Sequence, residues 1–296
     1  MYPHLLSQIL RGNWFLRPED IMAGHVLVHN LLDGGFNDEK YSRILSESKP
    51  MVQSIYGLDS DKYDKAPKGS TAIIPIHGTM IKYGTWCSYG ADEIAAIIRQ
   101  AKNCENISSL VLAIDSGGGA CDAVAVLVQA IEDTRSAGKP VVASCDMAAS
   151  AAYWIATACD RIIADNNISS SFGSIGVMCS FTDVKPVYEK MGYVFHEIYA
   201  DPSGDKNEAF NLALKGEYDK IRKESLNPLA LQFQETVKAN RPGLNTEVPG
   251  ILSGKMFYAK QALEYGLIDD IGTLSKAVSV ARKLEAENTI NNYINS

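Results

Sequence analysis

The chain has 296 residues, 46% of them hydrophobic and 21% charged, enough for one large domain with appendages or two modest ones. Its 28 Lys and Arg against 35 Asp and Glu leave a formal net charge of −7, which argues against a nucleic-acid binder built on a basic footprint. No stretch approaches the ~20 apolar residues that span a bilayer, and MYPHLLSQILRGNWFLRPED lacks the apolar core and cleavage site of a secretion signal, so a soluble, intracellular chain is expected.

In chain order, residues 1–67 read as an N-terminal arm. Pro18, Glu19 and Asp20 open a helix through IMAGHVLVHNLL that Gly34 and Gly35 end, and a polar linker, GLDSDKYDKAPKGS (57–70), follows. From 68 to 275 the character changes to that of a single α/β domain. Strand-like apolar runs are expected at 71–81, 109–116, 140–146, 161–166, 174–179 and 193–200. Between them, 91–103 carries Ile94, Ile97 and Ile98 at helical spacing, 123–138 is an amphipathic helix closed by Gly138, and 150–160 is helix-prone. A helical segment at 216–241 and the stretch 253–272 complete the core, leaving 276–296 as a polar tail that frays at its end. Strands alternating with helices predict a mostly parallel sheet with right-handed crossovers, buried on both faces.

Cys87, Cys104, Cys121, Cys145, Cys159 and Cys179 form no CxxC pair and lie mostly in apolar runs, so buried, reduced thiols are expected. His4, His25, His29, His77 and His196 are scattered, and no metal or other cofactor is expected.

Three short segments are candidates for chemistry. The first is Asp115-Ser116-Gly117-Gly118-Gly119, between a strand and a helix, where bare backbone N–H groups can approach a phosphate, a thioester carbonyl or an oxyanion. A phosphate loop would want GxxxxGK[ST], and a dinucleotide fingerprint would want glycine where Asp122 stands; neither spacing is met. The second is Met147-Ala148-Ala149-Ser150-Ala151-Ala152-Tyr153-Trp154, a serine among small residues at a strand-to-helix junction. Such a serine either caps the helix or faces a cleft as a nucleophile, with the next N–H, that of Ala151, aimed at an oxyanion. The third is Phe172-Gly173-Ser174-Ile175-Gly176-Val177, a glycine-flanked serine entering a strand or closing a loop. A nucleophilic serine needs a base. His77 lies on the first core strand, where packing explains it, and His196 lies in an alternating strand. Lysine serves if its pKa falls well below ~10.4, and Lys206 is the only lysine between Lys190 and Lys215.

The order of these motifs resembles the S49 serine peptidases, which comprise signal peptide peptidase A and the head-maturation proteases of tailed phages. The resemblance rests on IPIHGTM near 75–80, DSGGG at 115–119, MAASAAYW around Ser150, FGSIGV at 172–177, EKMGYVFHEIYA at 189–200 and YAKQALEYGLIDDIG at 258–272. It implies a ClpP/crotonase-like α/β fold, a repeated ββα superhelix with a mostly parallel sheet, here with an N-terminal helical arm. It further implies Ser150 as nucleophile, Lys206 as general base and Ser174 as the residue that orients the lysine. The N–H groups of Gly118 and Ala151 would form the oxyanion hole, and Gly119 would leave room for the substrate chain. The opening RGNWFLRPED is similar to phage head proteases, which implies capsid, scaffold or portal proteins as substrates. A homo-oligomer working in the host cytoplasm or the procapsid is implied as well. The same resemblance leaves two other readings, a cytoplasmic signal-peptide or general peptide hydrolase and a catalytically inactive assembly factor.

Overall fold

The computed structural model describes residues 14–15, 63–84 and 89–295. The helix expected after Pro18 lies outside them. In chain order the elements begin with β1 (Trp14–Phe15), β2 (Ser70–His77), α1 (Ala91–Asn103), β3 (Ile107–Ser116), β4 (Gly119–Ala120), α2 (Cys121–Ser136), β5 (Val141–Ala149) and α3 (Ala151–Thr157). There follow β6 (Arg161–Ala164), β7 (Ser171–Gly173), α4 (Lys185–Lys190), α5 (Glu208–Leu214), α6 (Asn227–Asn240), β8 (Met256–Tyr258), α7 (Ala259–Glu264), β9 (Asp270–Ile271) and α8 (Leu274–Asn295).

The mostly parallel α/β sheet is the one the alternation predicts. β2, β3, β5, β6 and β9 lie side by side in that order, all parallel. β5 is shared. Its Val142–Cys145 stretch pairs with β6, and Met147–Ala149 turns to β7, which in turn pairs antiparallel with β8. This fork carries the end of β5 away from the flat sheet and sets up the site below.

Continuous apolar strands explain the burial on both faces. On one side α1 lays Ile94, Ile97, Ile98 and Ala101 against the sheet, and its start is fixed by the Glu93 carboxylate accepting from the Gly90 N–H at 2.9 Å. Trp154 on α3 stacks on Phe233 of α6, with centroids 4.5 Å apart and planes 5° from parallel, so α6 backs the helix that follows Ser150. On the other side Ala277 and Ala281 of α8, four residues apart, pack on Val111, Val142 and Ile163 of three adjacent strands.

Four expectations are corrected. The strand expected at 174–179 is β7, at Ser171–Gly173, because its partners are the end of β5 and Met256–Tyr258. The stretch 193–200 is no strand: it has no ladder partner among the described residues and is exposed throughout, Ile198 at 94%. The helix expected over 216–241 starts at Asp219 and passes through a π-turn at Arg222–Leu226 before α6. The polar tail is helical: α8 runs to Asn295, and alanines at helical spacing dock its first turns.

Candidate functional site

Three strand ends converge. Ser116 at the end of β3 pairs with Ala148 of β5, and Ala149 pairs with Gly173 of β7. The glycine run, Ser150 and Ser174 therefore all leave the same end of the sheet. These sequence candidates are brought together.

Ser150 joins β5 directly to α3 at φ 55° and ψ −121°. That combination is foreign to a residue with a Cβ and is met where surrounding structure enforces it. The enforcement is visible: the Ser150 N–H donates to the Gly173 carbonyl at 2.9 Å, and its own carbonyl accepts the first helical bond from Trp154 at 3.0 Å. A serine cap would sit in the β region with its hydroxyl on the helix N–H groups. Ser150 does neither, making no side-chain capping bond. Its hydroxyl is thus left for other work at a site where the residue is only 2% exposed. The Ala151 N–H is among the first four of α3, which have no intrahelical acceptor.

Ser174 follows β7 at φ 53°, half-buried, its N–H donating to the Lys255 carbonyl at 3.0 Å. Gly173 before it has φ 124°, and a Cβ there would lie 2.4 Å from the Lys255 oxygen. Only glycine fits. Among the described residues the non-glycine positive-φ positions are Ser150, Ser174 and Asn207, the last beside Lys206.

In the glycine run, the Gly118 N–H donates to Ser116 Oγ at 3.1 Å, while the Ser116 hydroxyl donates to the Gly78 carbonyl. The Gly118 carbonyl and the Ala120 N–H both bond to Met80, at 2.8 Å each. A Cβ on Gly119 would lie 1.9 Å from the Met80 oxygen, so the approach of that backbone accounts for the glycine. Ser116, fully buried, is a part of the site that sequence reasoning passed over. Its place at the strand end, directly before three glycines, was the available signal.

Lys206 sits in the exposed loop 201–207, its N–H bonded to the Ser203 carbonyl at 3.1 Å. Its ammonium makes no hydrogen bond or ion pair among the described residues, so none joins it to Ser150 or Ser174. Lys255 is the lysine whose backbone touches Ser174, but its ammonium lies over the Phe257 ring at 5.3 Å. His77 is corrected from core to surface: it ends β2 exposed, opposite Asp115. His196 is exposed too.

Burial makes three of the thiols poor nucleophiles: with Asp122 beside it, Cys121 is pushed up to about 12, and Cys145 and Cys159 are raised as well. Cys145 and Cys159 are buried as expected, whereas Cys104, Cys121 and Cys179 are half-buried. Cys87 lies outside the described residues. No cluster of three or more His, Cys, Asp or Glu suited to a metal occurs among the described residues. No helix among them is long and apolar enough to cross a membrane.

A family model, peptidase family S49, matches residues 133–288, a span that includes Ser150, Ser174 and Lys206. The chain belongs to peptidase family S49. Relatives of this S49 chain include Protease 4 of Haemophilus influenzae, 31% identical over 219 residues, covering 72% of this chain and 34% of that protein. The head-tail preconnector protein GP5 of Enterobacteria phage P21 is 29% identical over 215 residues, covering 71% and 42%. A solved membrane-bound stomatin-specific protease with a substrate peptide is 18% identical, covers 71% of this chain and 78% of its own, and superposes with a TM-score of 0.46. The S49 chain spans 34% and 43% of the length of two such relatives, Protease 4 of Haemophilus influenzae and Protease 4 of Salmonella typhi.

Proposed function

We propose that the chain is a serine endopeptidase in which Ser150 attacks the scissile carbonyl, Lys206 accepts its proton and Ser174 orients the lysine. The observation that carries the reading is Ser150 held at positive φ between a strand and a helix, its hydroxyl unused for capping, in a chain of family S49. Such a junction aims a hydroxyl out of the sheet and sets the following N–H beside it. The Ser150 oxygen forms the acyl ester as its proton passes to the lysine amine. The amine leaving group takes that proton back, and water then hydrolyses the ester. The oxyanion would accept from Ala151 N–H and from Gly118 N–H, the latter after it leaves Ser116 Oγ.

The proposed substrates are scaffold, capsid or portal proteins during phage head maturation, in the host cytoplasm or the procapsid. Support for this comes from the relative named as a phage head-tail preconnector protein. A homo-oligomer is proposed as well. Its support is the exposed apolar run of Met191, Val194, Phe195 and Ile198 in the segment that leads to Lys206, a surface that a second copy would cover. The exposed Lys206 ammonium favours a second reading, an assembly factor without catalysis.

Cleavage of a fluorescent casein and of co-expressed head proteins separates the two. Ser150→Ala is expected to abolish cleavage with an unchanged melt, and Lys206→Ala to lower kcat at least 100-fold. Full activity in Ser150→Ala rejects the serine mechanism; full activity in Lys206→Ala moves the base elsewhere, with Lys255→Ala next. A wild-type chain that cleaves nothing while still binding head proteins supports the assembly reading.

A further inference from the structure

β4 is two residues long and has a partner on each side. On one side is Met80, bridged in parallel, and on the other is β1, antiparallel, with Phe15 opposite Gly119 and Trp14 opposite Ala120. Met80 takes the Gly118 carbonyl and the Ala120 N–H. Strand alternation then turns the N–H and C=O of Gly119 itself to the opposite edge, where Phe15 lies. Gly119 lies at the same end of the sheet as Ser150. Gly119 stands three residues after Ser116, whose β5 partner Ala148 is two residues before Ser150, and α3 packs against β4.

We infer that the Gly119–Ala120 edge is where an extended peptide adds as a strand, and that the chain's own Trp14–Phe15 fills it, making the N-terminal segment an intramolecular competitor of substrate. This rests on the peptidase reading proposed above. The physical reasons are general. An open strand edge recruits extended backbone through main-chain bonds, largely regardless of sequence, so any peptide delivered to Ser150 along this edge must first displace Phe15. A two-residue ladder offers few bonds, and a longer substrate strand outlasts it. The contact holds the edge paired when no substrate is near and yields when one arrives.

The test uses the full chain carrying Ser150→Ala, so that binding is read without turnover. Phe15→Pro removes the N–H that alternation aims at Gly119. The probe is a fluorescein-labelled peptide of residues 11–20, RGNWFLRPED, followed by anisotropy. Ser150→Ala/Phe15→Pro is expected to bind it at least ten-fold more tightly than Ser150→Ala alone. Equal affinity, or no binding by either, overturns the inference. Hydrogen exchange supplies the second measurement: the Gly119 amide should be protected in Ser150→Ala and lose that protection in the double variant. An unprotected Gly119 amide in the Ser150→Ala chain overturns the inference without reliance on the Pro variant. Failure of the peptidase reading is scored separately, by hydrolysis with Ser150 intact.

Discussion

Replacing Ser150 by Gly should stabilise the protein relative to Ser150→Ala, reversing the usual order of these two residues. At an ordinary position Gly is worse than Ala by about 0.5–1 kcal/mol, through the freedom it regains on unfolding. At φ 55° and ψ −121° every residue with a Cβ is strained, and Ala keeps the strain while Gly sheds it. Positions of this kind cost about 1–3 kcal/mol, and a ψ this far from the left-handed helical basin belongs in the upper part of that range. Against the relief stand the lost burial of one carbon, about 0.8 kcal/mol, and the unfolded-state entropy of Gly. Gly should finish ahead by about 1 kcal/mol, a rise in Tm of roughly 2–4 °C for a domain of this size. Calorimetry with matched urea titrations reads it directly. Both variants should be inactive, so the stability difference is free of any effect of turnover or self-cleavage. If Ser150→Ala proves as stable as Ser150→Gly or more so, the elbow is unstrained and the argument from geometry to nucleophile fails.

Ser116→Ala removes the acceptor that holds the Gly118 N–H and the donor to the Gly78 carbonyl. Stability should fall by about 1–3 kcal/mol while kcat/KM holds or rises, since the freed N–H is the proposed oxyanion donor; a fall in kcat with unchanged stability would contradict this. Phe233→Ala empties the buried ring that stacks on Trp154 and should cost about 3–5 kcal/mol in urea unfolding; a loss below 1 kcal/mol would show that α6 does not brace α3. The Asp270 carboxyl is held below its ordinary value, chiefly by the hydrogen bond from Lys276. Its contribution is therefore present above the unfolded carboxylate value and lost as the pH falls through the lower folded one. Asp270→Asn should lower Tm at neutral pH, with the difference from wild type vanishing in acid.

Much of the fold was legible because the buried strands are continuous apolar runs and α1 shows isoleucines at helical spacing; α1 ends where the sequence places it, at Asn103. Legibility fails where a partner decides. YVFHEIYA has the composition of a strand, yet a strand needs a ladder, and the described residues supply none. β7 was read three residues late, since its register follows from the fork in β5 and from Met256–Tyr258, both remote in sequence. The docking of α8 hides in two alanines among polar residues. At the site, glycines and small residues marked the loops around Ser150 and Ser174. They did not show why the glycines are there: Gly119 and Gly173 yield to the backbones of Met80 and Lys255, contacts that no local pattern encodes.

The central claim is that Ser150 is the nucleophile, and the measurement closest to it is the mass of the protein after exposure to a fluorophosphonate. A single adduct is predicted, mapped to the peptide containing Ser150, absent in Ser150→Ala and slower to form in Lys206→Ala. No adduct at Ser150, or an adduct on another residue that survives Ser150→Ala, would contradict it.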